Sequence, residues 1–129
     1  MSGRYLLDTN IVIALFDQEA AVKARLEAAT AVYLPSIVLG ELYFGAVNSR
    51  RAEFNLAQVE EFVTACTVVP VDASVSRHYG TLKAQLRKKG KPIPENDLWI
   101  AACAVERGFV MVSRDRHFLE IEDLQVEAW

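Results

Sequence analysis

The sequence has no apolar run near the roughly 20 residues that a membrane-spanning helix needs. Its N-terminal apolar segment, Tyr5-Leu6-Leu7, is broken by Asp8, so neither a secretion signal nor an anchor is readable and a cytoplasmic protein is expected. Cysteine is scarce. Cys66 and Cys103 lie far apart in apolar helical contexts, without a His or a second Cys at metal-ligand spacing, which favours buried free thiols over a thiolate metal site. Positive charge is not in excess: the formal net charge of −3 speaks against a surface that grips nucleic acid everywhere, though not against a local grip. Linkers, low-complexity segments and internal repeats are also missing. With 129 residues, 52% of them hydrophobic, the chain can fill one core, and residues 1–129 are expected to form a single domain.

What is present is an alternation of short apolar strands and helical patterns. Strands are expected at residues 4–7, 32–34, 68–69 and 109–112, with a weak last one near 124–126. Helices are expected at 11–16, capped by Thr9 or Asn10; at 19–29; from 37 to about 48, capped by Ser36; and at 52–66. Two more should run from an Asp72 cap to 89, and over 95–107 with Gly108 as the stop. The run Gly90-Lys91-Pro92-Ile93-Pro94 is the clearest loop. This order implies an α/β/α sandwich around a mostly parallel sheet of four or five short strands, with any site beyond the strands' carboxyl ends.

Two acids break the patterning. On a helix over 95–107 the neighbours of Asp97 three and four positions away are Ile93, Pro94, Ile100 and Ala101. Those of Glu41 are Ile37, Val38, Phe44 and Gly45. Both carboxylates should therefore face inward, where an unpaired charge must neutralise, pair or bind a cation. Glu53, Glu60 and Glu61 share their helix with Asn55 and Gln58 and read as solvated. Asp8 and Asp115 each fall just past a strand, at the sheet edge where the helices of Glu41 and Asp97 would begin. Four converging acids ask for bound cations unless some are protonated, and oxygen ligands suit Mg2+ or Mn2+. Such a site suits phosphodiester hydrolysis.

The segments Leu6-Leu7-Asp8-Thr9-Asn10, Gly40-Glu41-Leu42 with Gly45, Glu95-Asn96-Asp97-Leu98-Trp99-Ile100-Ala101-Ala102 and Ser113-Arg114-Asp115-Arg116-His117-Phe118 resemble PIN-domain ribonucleases of the VapC toxin type. The resemblance spans nearly the whole chain. It implies a PIN-like sandwich, a Mg2+- or Mn2+-dependent endoribonuclease, and a toxin relieved by a cognate VapB-type antitoxin, with a homodimer as its expected assembly. Asp8, Glu41, Asp97 and Asp115 match the family's acidic positions. Asp8, Asp97 and Asp115 are the metal candidates, and Glu41 would orient the attacking water or act as base through it. Thr9, Asn96 and Ser113 match supporting positions, the serine standing where threonine is common.

Basic residues cluster as Arg50-Arg51, as Arg87, Lys88, Lys89 and Lys91, and as Arg114 with Arg116. The last two clusters are candidate RNA contacts, although such clusters are more often solvated helix ends or loops than phosphate contacts. Taken singly, Asp8 also reads as a helix cap, Asp115 as a turn residue, and Glu41 or Asp97 as half of a buried ion pair with a distant arginine. His117 and His78 read as surface residues, and Trp99, Tyr43 and Phe44 as core or interface. An aspartyl-nucleophile phosphotransferase would place a second acid two residues after Asp8, where this chain has Asn10. A binding module whose acids only hold structure or a partner's arginine is the third class.

Overall fold

Strand β1 (Arg4–Leu7) runs through the centre of the sheet, and its Leu6 and Leu7 are fully buried. The computed structural model describes residues 3–129. After β1 come α1 (Thr9–Phe16), α2 (Ala20–Ala28), β2 (Ala31–Pro35), α3 (Ser36–Val47), α4 (Ala52–Thr64) and β3 (Thr67–Val69). The second half adds α5 (Ala73–Lys88), α6 (Glu95–Arg107), β4 (Val110–Val112), a 3-10 turn (Arg116–Glu120) and β5 (Val126–Glu127). The five strands form one sheet in the order β3-β2-β1-β4-β5, and every pairing is parallel. The expected sandwich is thus found, with a wholly parallel sheet. Among the described residues no helix is long and apolar enough to cross a membrane.

The strand order sets the site's position. From β1 the chain steps to β2 and β3 on one side, then crosses back to β4 on the other side of β1. Right-handed crossovers then place α1 to α4 on one face and α5 with α6 on the other, making the β1/β4 boundary the topological switch point. The register Leu7↔Val112 brings both strands to the same carboxyl edge, and the Asp8 amide donates to the Val112 carbonyl at 3.0 Å.

Several element ends differ from the sequence expectations. Neither Thr9 nor Asn10 caps α1: Asp8 does, its carboxylate accepting from the Thr9 amide at 2.8 Å. Ser36 is the first residue of α3 and makes no side-chain cap; Pro35 precedes it in an extended conformation. The last strand lies slightly later than 124–126, and the 3-10 turn was not foreseen because five residues carry too short a periodicity to read. Asp72 does cap α5, accepting from the Val75 amide at 3.0 Å, and Gly108 ends α6 with φ of 69°, where a side chain would be strained.

Helix α6 is deeply set. Leu98 and the unbroken run from Ile100 to Ala104 are buried, and Trp99 stacks on Tyr79 of α5 with ring centres 3.8 Å apart. Its N-terminus is held from α5 as well. Glu95 takes hydrogen bonds from Lys83 at 2.6 Å and from the Tyr79 hydroxyl at 2.7 Å. Cys103 is buried and Cys66 partly so; burial pushes each thiol up to about 11, so neither is a reactive thiolate.

Candidate active site

The site grows from Asp8. As the N-cap of α1, its Oδ1 is fixed by the Thr9 amide, while its Oδ2 accepts from the Ser113 hydroxyl at 2.7 Å and from the Asn10 amide at 3.4 Å. Ser113 follows β4 directly, so the β1/β4 register creates this contact across 105 positions. The same hydroxyl accepts from the Asp115 amide at 2.9 Å. Asn10 joins in from α1, donating to Ser113 at 3.3 Å and accepting from the Arg114 amide at 3.2 Å. Asp8 and Ser113 are the two buried polar residues among those described, at 5% and 2% exposure. The network accounts for that burial, because each polar atom has partners.

Glu41 enters from α3. Its Oε1 accepts from the Thr9 hydroxyl at 2.6 Å and its Oε2 from the Asn96 amide at 3.3 Å. Thr9 and Asn96 thus join α1, α3 and α6 through one carboxylate. Asp97 is half-buried in the first turn of α6, where the helix dipole favours a negative charge. Its Oδ2 meets His117 Nδ1 at 3.1 Å, and the same nitrogen lies 2.8 Å from Asp115 Oδ1. Asp115 in turn starts the 3-10 turn by accepting from the His117 amide at 3.0 Å.

Electrostatically this is a crowded acidic site. Burial raises Asp8 from its ordinary 3.8; hydrogen bonds from Ser113 and Thr9 oppose the rise, and the charges of Asp97 and Glu41 add to it. Burial likewise raises Asp97, with His117 opposing and Asp115 and Glu41 adding. His117 is raised from 6.5, chiefly by its hydrogen bond to Asp97. Among the described residues no lysine or arginine forms an ion pair with any of the four acids. The alternative of a buried pair with a distant arginine therefore has no structural counterpart for Glu41 or Asp97. The helix-cap and turn readings of Asp8 and Asp115 are both realised, but alongside the cluster rather than instead of it.

The candidate RNA contacts are distributed differently. Lys89 and Lys91 pair with Glu122 and Glu120 at 3.9 and 3.3 Å. Arg114 is clamped by Glu19 at 2.7 Å and by the Trp129 carbonyl at 2.9 Å. Arg87, Lys88 and Arg116 are exposed and, among the described residues, form no ion pair within 4.0 Å, although the charge of Arg87 is felt by Glu95. Arg116 stands beside Asp115 in the chain. Of the aromatics, Trp99 and Tyr43 pack on the core, whereas Phe44 is 71% exposed beside Glu41 and Asn96. Two residues of the network escaped the sequence reading: His117, set aside as a surface residue, and Asn10, read as a helix cap or a missing acid. Only the motif Ser113-Arg114-Asp115-Arg116-His117-Phe118 contained a signal for the histidine.

Comparison with known proteins matches a PIN domain over residues 5–124. The chain is 37% identical over 129 residues to Ribonuclease VapC2 of Haemophilus influenzae, covering 98% of each protein. It is 34% identical over 129 residues, again 98% of each, to the tRNA(fMet)-specific endonuclease VapC of Shigella flexneri. Among crystal structures, VapBC2 of Rickettsia felis bound to a DNA fragment from their promoter superposes with a TM-score of 0.91 at 30% identity, over 98% of both chains. DNA-bound VapBC of Salmonella typhimurium gives 0.91 at 32% identity over 100% of this chain and 99% of its own. A domain match over this much of the sequence, with relatives aligned along nearly their whole length, establishes that the chain belongs to the PIN-domain family, among its VapC-type ribonucleases.

Proposed function

We propose that this protein is a metal-dependent endoribonuclease that hydrolyses RNA phosphodiester bonds, using Mg2+ with Mn2+ as substitute, and acts in the cytoplasm as the toxin of a type II toxin-antitoxin pair. The observation that carries the reading is the convergence of Asp8, Glu41, Asp97 and Asp115 at the switch point with, among the described residues, no lysine or arginine paired to them. The donor set fits a divalent ion. Its oxygens are hard ligands, Asp8 and Asp97 are raised as carboxylates awaiting a cation would be, and one ligand atom each from Asp97, Asp115 and His117 lies within 4.8 Å of the others. Asp8, Asp97 and Asp115 would hold the ion. When bound, it supplies charge neutralisation at the phosphate and a lowered pKa for the attacking water.

The chain's own groups divide the remaining work. Glu41, fixed by Thr9 and Asn96 at both oxygens, takes the proton from the attacking water as general base. Ser113 and Asn10 keep Asp8 in one orientation, so that the site does not reorganise during the reaction. Arg116, Arg87 and Lys88 carry the unpaired positive charge for backbone phosphates. Arg114, Lys89 and Lys91 would have to exchange internal acids for phosphate first.

A VapB-type antitoxin would lay apolar side chains on the exposed residues Ile13, Phe44, Val47 and Phe54 of α1, α3 and α4, and place a basic side chain among the acids. A groove lined by Ile13, Phe16, Leu42 and Val59 leads from these helices to Glu41. The related VapBC complexes support this pairing, and the homodimer that the family resemblance implies remains part of the proposal.

The test is cleavage of structured cellular RNA by antitoxin-free protein with Mg2+, with Mn2+ and with chelator, beside Asp97→Asn. Initiator tRNA belongs in the panel, since relatives at 34% identity are tRNA(fMet)-specific endonucleases. Metal-dependent cutting lost in the variant is expected. Equal cutting by the variant, or none from folded wild type under any metal, would overturn the reading in favour of a binding module.

A further inference from the structure

We propose that His117 is a ligand of the catalytic cation through Nδ1, forming with Asp97 and Asp115 a mixed imidazole-carboxylate site that favours Mn2+ over Mg2+ more than an all-oxygen site does. The inference rests on the metal reading of this site and adds a residue and a metal preference to it.

The argument starts from what one ring nitrogen can do. Nδ1 carries either one proton or one lone pair, so it can serve one strong hydrogen bond at a time. Here two carboxylate oxygens from different elements converge on it, at 2.8 Å from Asp115 and 3.1 Å from Asp97. One donor atom each from Asp97, Asp115 and His117 lies within 4.8 Å of the other two. Around an ion with bonds of about 2.1 Å, ligands at right angles lie about 3.0 Å apart, close to both separations. The imidazole's placement is also built in. The His117 amide is held by Asp115, and the next residue, Phe118, is fully buried and anchors the 3-10 turn in the core. The turn that presents one ligand therefore presents the other.

Ligand chemistry sets the consequence. Mg2+ takes oxygen ligands and gains little from imidazole, whereas nitrogen ligands add affinity for first-row transition ions, Mn2+ included. His117 is nearly half exposed, at 48% for its side chain, so replacing it opens no core cavity.

The experiment is titration of the full chain with MnCl2 and with MgCl2, for wild type and His117→Ala. It is paired with pulsed electron paramagnetic resonance of the Mn2+-loaded protein carrying either natural or 15N-labelled histidine. Disturbing groups that merely orient a metal ligand costs roughly 10–100-fold in affinity. Loss of the ligand itself should lower Mn2+ affinity by about 10-fold or more, and Mg2+ affinity by clearly less. Wild type should show a directly coordinated nitrogen whose coupling changes with the label and vanishes in the variant. A Mn2+ site without a labelled-nitrogen coupling would overturn the ligand assignment and leave the metal reading standing. Failure of wild type to bind either ion at millimolar concentration would overturn both.

Discussion

Replacing Ser113 by alanine tests whether the acids are held in place by a built network or only lie near one another. The hydroxyl gives Asp8 its shortest side-chain hydrogen bond, 2.7 Å, and accepts the Asp115 amide at 2.9 Å, at a residue only 2% exposed. A hydrogen bond to a charged group is worth about 1.5–3 kcal/mol, and an amide left without its partner adds to the loss. Asp8 keeps the Thr9 amide and Asn10, which limits the damage, so we expect about 2 kcal/mol. For 129 residues, an unfolding entropy of about 2.1 cal/mol/K per residue converts this into a Tm lower by about 7 °C. The assay is thermal unfolding by circular dichroism in chelator, with Ser113→Thr as the control that keeps the hydroxyl. Metal affinity should fall with stability in the alanine variant, because Asp8 and Asp115 lose a shared restraint. A Tm within 2 °C of wild type, with unchanged metal affinity, would refute the idea that Ser113 organises the two acids.

Four further outcomes follow from the same geometry. Glu41→Gln keeps the hydrogen bond from Thr9 and should retain metal binding while cutting falls by about 10²–10⁴, as loss of a general base does; equal loss of metal would move Glu41 into the ligand set. The contribution of the acidic site to metal-free stability should decline as pH rises. Asp8 and Asp97 are raised above 3.8 and His117 above 6.5, so the stability each adds is complete below those values and lost as pH climbs through the folded ones. Melts in chelator from pH 3 to pH 9 read this, and Asp8→Asn should flatten the part of the decline that begins near pH 3.8. Phe118→Ala, emptying a fully buried site, should cost about 3–5 kcal/mol in urea unfolding and loosen the turn that carries Asp115. Arg116→Ala should raise KM for RNA more than Lys91→Ala does, since Lys91 is already paired with Glu120; the reverse order would show that the ion pair yields to RNA.

The alternation of strands and helices, the caps at Asp72 and Gly108, and the anomaly of Asp97 and Glu41 were all legible in the sequence. Each depends on residues within about one helical turn or one strand, where spacing fixes which side chains share a face. The position of Asp8 and Asp115 past strand ends was legible for the same reason, and the parallel fold then implied a common edge. Tertiary structure alone decided the rest. Ser113 meets Asp8 across 105 positions and Thr9 meets Glu41 across 32, distances over which local spacing carries no information. The pairing of Arg114 with Glu19 and of Lys91 with Glu120 removed two cations that looked equivalent to Arg116 in the sequence. His117 was passed over because an exposed histidine in a loop is usually idle. Only the folding of the 3-10 turn against α6 puts its Nδ1 between two carboxylates, and no linear pattern encodes that approach.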